Sequence, residues 1–338
     1  MALHLLCRLG SVRCSRRHWI IQAEFWESEM ATQPSGMLIP AYVYPHSDEM
    51  GNPVEWQVLL DVGRTMMLGG LIVVANHGDG HFVEKDSDYE ISIDALRRIC
   101  TPVLGYVHDC YNGTKQDENC SGYEAANVVL DVAKWFNTYN VAGIFVDQVG
   151  SREIDVPRAK LLVEQVRNAR SDAIVVLNPG SIPSQTFMME TDPAIVVIRE
   201  APIDDYQDFP PADDQYAWLR NRANGEYAGI EPGRLAIIAH TIPNRVQVDS
   251  LIAKAEQYQI EWIHAQYAED EHGPVDGPVY KPFSVHLSYI AERINKCARM
   301  GCLIPFGRLF CRLANYLLCY ILQAKSMLLG VVRRQRRG

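Results

Sequence analysis

Several signatures are missing from this chain. There is no Cys-x-x-Cys pair and no Cys/His spacing suited to zinc, which sets aside zinc-ribbon and thioredoxin-type chemistry. No Gly-x-Gly-x-x-Gly follows the first apolar run, and Asn76-His-Gly-Asp-Gly80 lacks the Lys-Ser/Thr of a phosphate loop, so nucleotide binding is not expected. The longest uncharged run near the C-terminus, 313–324, falls short of the ~20 residues a spanning helix needs. The apolar run 2–7 is broken by Arg8 and is too short for a secretory signal, so the residues alone point to the cytoplasm. Gly-x-Ser-like and Cys/His arrangements are too loose for acyl transfer. His240 and His264 have no third partner in an obvious position, and neither a metal nor a cofactor is expected.

What is present is a large apolar body with an uneven charge. The 338 residues are 48% hydrophobic, enough for one large domain or two ordinary ones. The net charge is −9, but from Glu292 onward ten Lys/Arg face one Asp/Glu, and residues 1–30 hold four Arg and three Glu. Taking +9 and +1 from the total leaves −19 on residues 31–291. A body this acidic repels a phosphate backbone, so nucleic acid is excluded as a partner, and a neutral or cationic substrate fits better. Nine cysteines, six of them in the tails, are expected to be free thiols in a reducing compartment. Residues 1–36 form an extension outside the fold, either faintly transit-like or preceding a true start at Met30 or Met37. Residues 296–338 form a basic apolar tail that is either disordered or an amphipathic helix able to lie on an anionic membrane.

Between these tails, over 37–295, a short apolar run rich in β-branched residues recurs eight times: 37–44, 71–76, 103–108, 141–147, 173–178, 194–200, 234–240 and 259–265. Segments with helical spacing lie between them at 91–100, 122–138, 157–169, 213–222 and 247–257, with a last one at 283–294. In 122–138, Ala126, Val129, Leu130, Ala133 and Phe136 fall on one face. Eight strand–helix units in about 260 residues predict a single-domain (β/α)8 TIM-like barrel, with a doubly wound open sheet as the alternative.

A barrel carries its chemistry at the carboxyl ends of its strands. Here those ends read Tyr42 and Tyr44; Asn76; Tyr106, His108 and Asp109; Asp147 and Gln148; Asn178; Glu200; His240; and His264 with Gln266 and Tyr267. Ala142-Gly-Ile-Phe-Val-Asp-Gln148 and Ala194-Ile-Val-Val-Ile-Arg-Glu200 each deliver an acid at the end of an apolar run. Two carboxylates flanking one cleft are what sugar hydrolysis requires. Aromatic rings at the mouth, including Tyr111, suit stacking on sugar faces.

Leu38-Ile-Pro-Ala-Tyr-Val-Tyr-Pro45, Val73-Val-Ala-Asn-His-Gly-Asp-Gly80, Leu104-Gly-Tyr-Val107, Val141-Ala-Gly-Ile-Phe-Val-Asp147 with Trp135, and Val176-Leu-Asn-Pro-Gly180 occur in order. Together they resemble the Spherulin-4 family over 37–294. The resemblance implies a (β/α)8 glycoside hydrolase cutting α-1,4-linked galactosamine or N-acetylgalactosamine polymers such as galactosaminogalactan, or a spore- or cell-surface protein that binds glycan without cutting it. It also implies a secreted or cell-surface location. Asp147 and Glu200 match two family acids. They fall at the first and third family acids; the second is Gln148 here, the family's Pro after the second-strand Asn is His77, and its Thr after Gly-Tyr-Val-x is Asp109. The expected roles are Asp147 as nucleophile and Glu200 as proton donor, with the reverse left open. Tyr42, Tyr44, Asn76, Tyr106, His108, Asp109, Gln148, Asn178 and His240 are the expected substrate contacts, and the partner is a polysaccharide or amino-sugar oligomer.

Overall fold

A computed structural model describes residues 34–66, 70–113, 125–226, 229–267 and 283–300. The expectations for the leader and for a membrane-lying tail lie outside them. Eight parallel strands, β1 (Gly36–Ala41), β2 (Leu71–Ala75), β3 (Val103–His108), β4 (Gly143–Asp147), β5 (Ile174–Asn178), β6 (Ile195–Pro202), β7 (Leu235–His240) and β8 (Trp262–Ala265), hydrogen-bond in sequence order. Pairing of Gly36 with Trp262 and Met37 with Ile263 closes β8 onto β1, so the sheet is a barrel and the open alternative falls. The helices that follow the strands are α1 (Gln57–Thr65), α2 (Ser87–Arg98), α3 (Ala125–Tyr139), α4 (Val156–Ala169), α5 (Gln185–Glu190), α6 (Ala217–Arg220), α7 (Arg245–Gln257) and α8 (Leu287–Met300). Among the described residues, no helix is long and apolar enough to cross a membrane.

Strand alternation divides the core in two. Leu38, Ile72, Val74, Leu104, Phe145, Val176, Val197, Ile238 and Trp262 fill the barrel interior. Their neighbours, such as Ile39, Val73, Ile144, Val175 and Ile237, pack outward against the helices. Both faces are buried, which is why the strands read as near-continuous apolar runs. Local signals frame the helices: Asp86 caps α2 by accepting from the Asp88 and Tyr89 amides, and Asn244 caps α7 through the Gln247 amide.

Four expectations change. β1 ends at Ala41, leaving Tyr42 and Tyr44 beyond the strand. The 213–222 segment is broken into a 3-10 turn, Asp214–Tyr216, the four-residue α6 and a second 3-10 turn, Asn221–Asn224. On α3 the buried face is Val128, Val132, Trp135, Phe136 and Tyr139, whereas Val129 and Leu130 are exposed. Trp135 sets that rotation: its indole donates to the Tyr106 carbonyl at 2.8 Å and lies where a Cβ on Gly105 would be, 2.3 Å from the ring. Finally, Cys100 and Cys110 are disulfide-bonded, which corrects the free-thiol reading. They flank the six-residue β3, whose rise of about 3.3 Å per residue holds them too far apart for one bond, so each pairs elsewhere.

Candidate active site

Alternation along the strands selects the side chains that reach the mouth. Beyond Leu104 and Tyr106 on β3 comes His108, beyond Phe145 on β4 comes Asp147, beyond Val176 on β5 comes Asn178, and beyond Ile238 on β7 comes His240. β6 departs from this rule. Its register against β7 shifts between Val197 and Arg199, so that Val197 pairs with Ala236 but Glu200 pairs with Ile238. Without this bulge at Ile198, strict alternation would turn Arg199 inward. With it, Glu200 is in phase with the inward Ile238, a re-aiming typical of bulges beside active sites.

The two acids meet through one amide. Asn178 Nδ2 donates to Asp147 Oδ1 at 2.8 Å and to Glu200 Oε2 at 2.5 Å, and its own Oδ1 accepts from the Gly180 amide at 3.0 Å. The last bond fixes which end of the amide faces the acids. The two bridged oxygens are therefore no farther apart than about 5.3 Å, short of the ~6.5–9.5 Å carboxyl separation of inverting glycosidases. The Tyr106 hydroxyl donates to Asp147 Oδ2 at 2.7 Å. Burial first, and then the Glu200 charge, push the Asp147 carboxyl up to about 7, while hydrogen bonds from Tyr106, the Gln148 backbone and Asn178 pull the other way. Burial together with the charges of Asp147, Glu200 and Asp79 raises Tyr42, and Tyr42 meets Tyr106 edge-on at 5.4 Å. His240 is lowered by burial and feels the opposing pull of Glu200 and Asp205. Tyr42, Tyr106, Asp147, Asn178, Glu200 and His240 thus share one end of the barrel.

Other expected contacts have different surroundings. Tyr44 donates to Asp86 and Asp88 at the start of α2, at 2.8 and 3.1 Å. Asp109 is buried and ion-paired with Arg158 of α4, its Oδ1 accepting from Nε at 2.9 Å. His108, also buried, bonds His81 Nε2 at 2.8 Å, and His81 in turn bonds Asp131 of α3 at 2.8 Å. Asn76 donates to Asp79 at 2.9 Å. Gln148 is half-buried and left-handed (φ 54°), and its carbonyl accepts from the Tyr111 amide at 2.7 Å. His77 is stacked between Phe82 and Tyr89, with centroids at 4.6 and 4.5 Å.

Sequence reading did not single out Asp79, His81, Asp131, or the loop residues Ser151, Asp155 and Ser181 near Glu200. Loops have no hydrophobic period to betray them. In the structure, left-handed backbone follows β2, β3, β4, β5 and β7, at Asp79, Cys110 with Tyr111, Gln148, Gly180 and Thr241, and at the non-glycine positions such strain gathers at functional sites. Among the described residues, no group of three or more His, Cys, Asp or Glu is arranged to hold a metal.

Among solved structures, Sph3 of Aspergillus clavatus in complex with GalNAc is 22% identical, with a TM-score of 0.58 over 79% of this chain and 99% of that one. A glycoside hydrolase family 5 mannosidase from Rhizomucor miehei is 7% identical, with a TM-score of 0.49 over 80% and 94% of the two chains. A broad-specificity endoglucanase from Clostridium acetobutylicum is 10% identical, with a TM-score of 0.47 over 78% and 96%. No curated protein sequence matches. The fold is a glycoside hydrolase-like barrel, and the model of spherulation-specific family 4 matches residues 36–294, most of the chain: this protein belongs to that family.

Proposed function

We propose that this protein is a retaining glycoside hydrolase acting on α-1,4-linked galactosamine or N-acetylgalactosamine polymers, with Asp147 as nucleophile and Glu200 as acid/base. The observation that carries this reading is the Asn178 amide, which holds both carboxyls on one nitrogen at the barrel mouth. Kinship to Sph3, which binds GalNAc, supports the amino-sugar class.

The roles follow from the hydrogen bonds. Both Asp147 oxygens accept from groups that only donate here, the Tyr106 hydroxyl and the Asn178 amide, so Asp147 is set up to react as a carboxylate. Tyr106 is raised well above its usual range, chiefly by burial, and so keeps its proton. Glu200 opens onto the groove beside the loops after β4 and β5, where a leaving sugar can depart. Burial and the Glu200 charge favour a proton on Asp147 up to about neutral pH, and the reaction requires that proton to pass to Glu200 so that Asp147 is free to attack. Asp147 attacks the anomeric carbon as Glu200 gives its proton to the glycosidic oxygen. Glu200 then takes a proton from water, which displaces Asp147 with net retention.

The test uses the full chain with partly deacetylated α-1,4-galactosamine polymer. Wild type is expected to release reducing ends of retained configuration. Asp147→Asn and Glu200→Gln are expected to lose activity by at least about 100-fold. Full activity in both variants would sink the assignment. Saturable binding without new reducing ends would favour a glycan-binding protein, a reading suggested by the carboxamide at Gln148. In that case Gln148→Glu is the variant expected to gain hydrolysis.

A further inference from the structure

A groove of about 670 Å3 leads away from Glu200 over the loops that follow β4 and β5, within the roughly 300–1,000 Å3 that ligand pockets occupy. Its walls mix one ring with hydroxyls and charge. Tyr111 stands at one side with 42% of its surface exposed, and Pro179 lies on the wall that Gly180 and Ser181 continue. Ser181 Oγ donates to Ser151 Oγ at 3.0 Å. Asp155 holds Arg152 by its backbone amide and its guanidinium, both at 3.1 Å. Gly150 is required there, because a Cβ would meet the Asp155 carboxyl carbon at 2.3 Å, and nothing lies within 4 Å of the position a Cβ would take at Gly180, so the wall stays open. Hydroxyls and a charged rim around a single aromatic face match the two faces of a pyranose, one studded with hydroxyls and one lined with C–H groups.

Tyr111 is unusually well anchored for a loop residue. It follows Cys110, which is fully buried and disulfide-bonded. Both residues take left-handed backbone, φ 49° and 50°, and the Tyr111 amide donates to the carbonyl of Gln148, itself left-handed. A backbone held this way narrows where the ring can lie before ligand arrives, which lowers the conformational entropy that stacking costs.

We propose that this groove is a second sugar-binding subsite, adjoining the Asp147–Glu200 centre, in which Tyr111 is the stacking platform for a further unit of the polymer. The proposal rests on the hydrolase reading for its substrate. It makes Tyr111 the residue that determines preference for chains over single sugars.

The experiment compares wild type, Tyr111→Ala and Tyr111→Trp on two substrates: an α-galactosaminyl fluoride, one sugar whose leaving group is too small to reach the ring, and α-1,4-galactosamine oligomers of several units. Tyr111→Ala is expected to lose roughly tenfold or more in kcat/KM on the oligomers relative to its change on the fluoride, while Tyr111→Trp stays close to wild type on both. Equal loss on both substrates, or no loss on the oligomers, overturns the subsite. Calorimetry with the oligomers separates the two claims. If wild type cuts neither substrate, the hydrolase reading fails, yet a tenfold weaker oligomer affinity in Tyr111→Ala still supports the subsite. Equal affinity in the two proteins, or no oligomer binding by wild type, overturns it.

Discussion

In the proposed mechanism Asp147 trades stability for readiness. Its folded-state carboxyl is raised to about 7 from an ordinary 3.8, mainly by burial and then by Glu200. Between those values the folded protein keeps a proton that the unfolded chain releases, so the contribution of this group to stability is greatest below about 4 and declines as pH climbs towards 7. Asp147→Asn removes the buried charge and is expected to raise the melting temperature by a few degrees at pH 7.5, with little change at pH 4. Thermal melts at the two pH values check this, and a variant no more stable at pH 7.5 would count against it. In the active protein, kcat/KM is expected to fall above about pH 7 as the pair loses its last proton. The sequence exposed Asp147 and Glu200 because each ends an apolar run. It did not expose the part Asn178 plays, since Asn-Pro-Gly also reads as a plain turn, and only the fold brings that amide between the acids.

At the scale of elements, eight strands were legible because burial on both faces leaves an uninterrupted apolar run. The helices were less so. α5 has six residues, too few for a period to show, and α1 lacks a side-chain cap. The bulge in β6 is invisible to alternation, because an extra outward Ile198 looks like any other apolar residue of the strand. Two departures from the family pattern have structural explanations. His77 is absorbed into a ring stack with Phe82 and Tyr89, and Asp109 ties the end of β3 to α4 through Arg158. Asp109 and Arg158 are both largely buried, so Asp109→Ala leaves a guanidinium without its partner. The expected cost is about 3–5 kcal/mol of unfolding free energy, read from the denaturant midpoint. Activity per folded molecule is expected to survive. A stable Asp109→Ala protein with impaired oligomer binding would instead make Asp109 a substrate contact.

For the molecule as a whole, charge bears on what it binds. Bonded Cys100 and Cys110 are of a kind that persists in oxidising surroundings. The −19 balance over 31–291 gives the barrel a field that attracts cations, and the described mouth adds Asp79, Asp155 and Asp205 to the acid pair against Arg152 and Arg199. A deacetylated galactosamine unit carries an ammonium, and an acetylated one does not. Attraction between a charged chain and an oppositely charged surface is screened by salt, with a Debye length near 8 Å at 0.15 M and about 3 Å at 1 M. Affinity for a largely deacetylated oligomer is therefore expected to fall several-fold across that range, and affinity for a fully acetylated one of equal length to change little. Calorimetric titrations of Glu200→Gln, the variant expected to bind without cutting, measure both slopes. Equal slopes for the two oligomers would mean that the acidity of the barrel plays no part in selecting its substrate, and that recognition rests on the hydroxyl and ring contacts of the mouth alone.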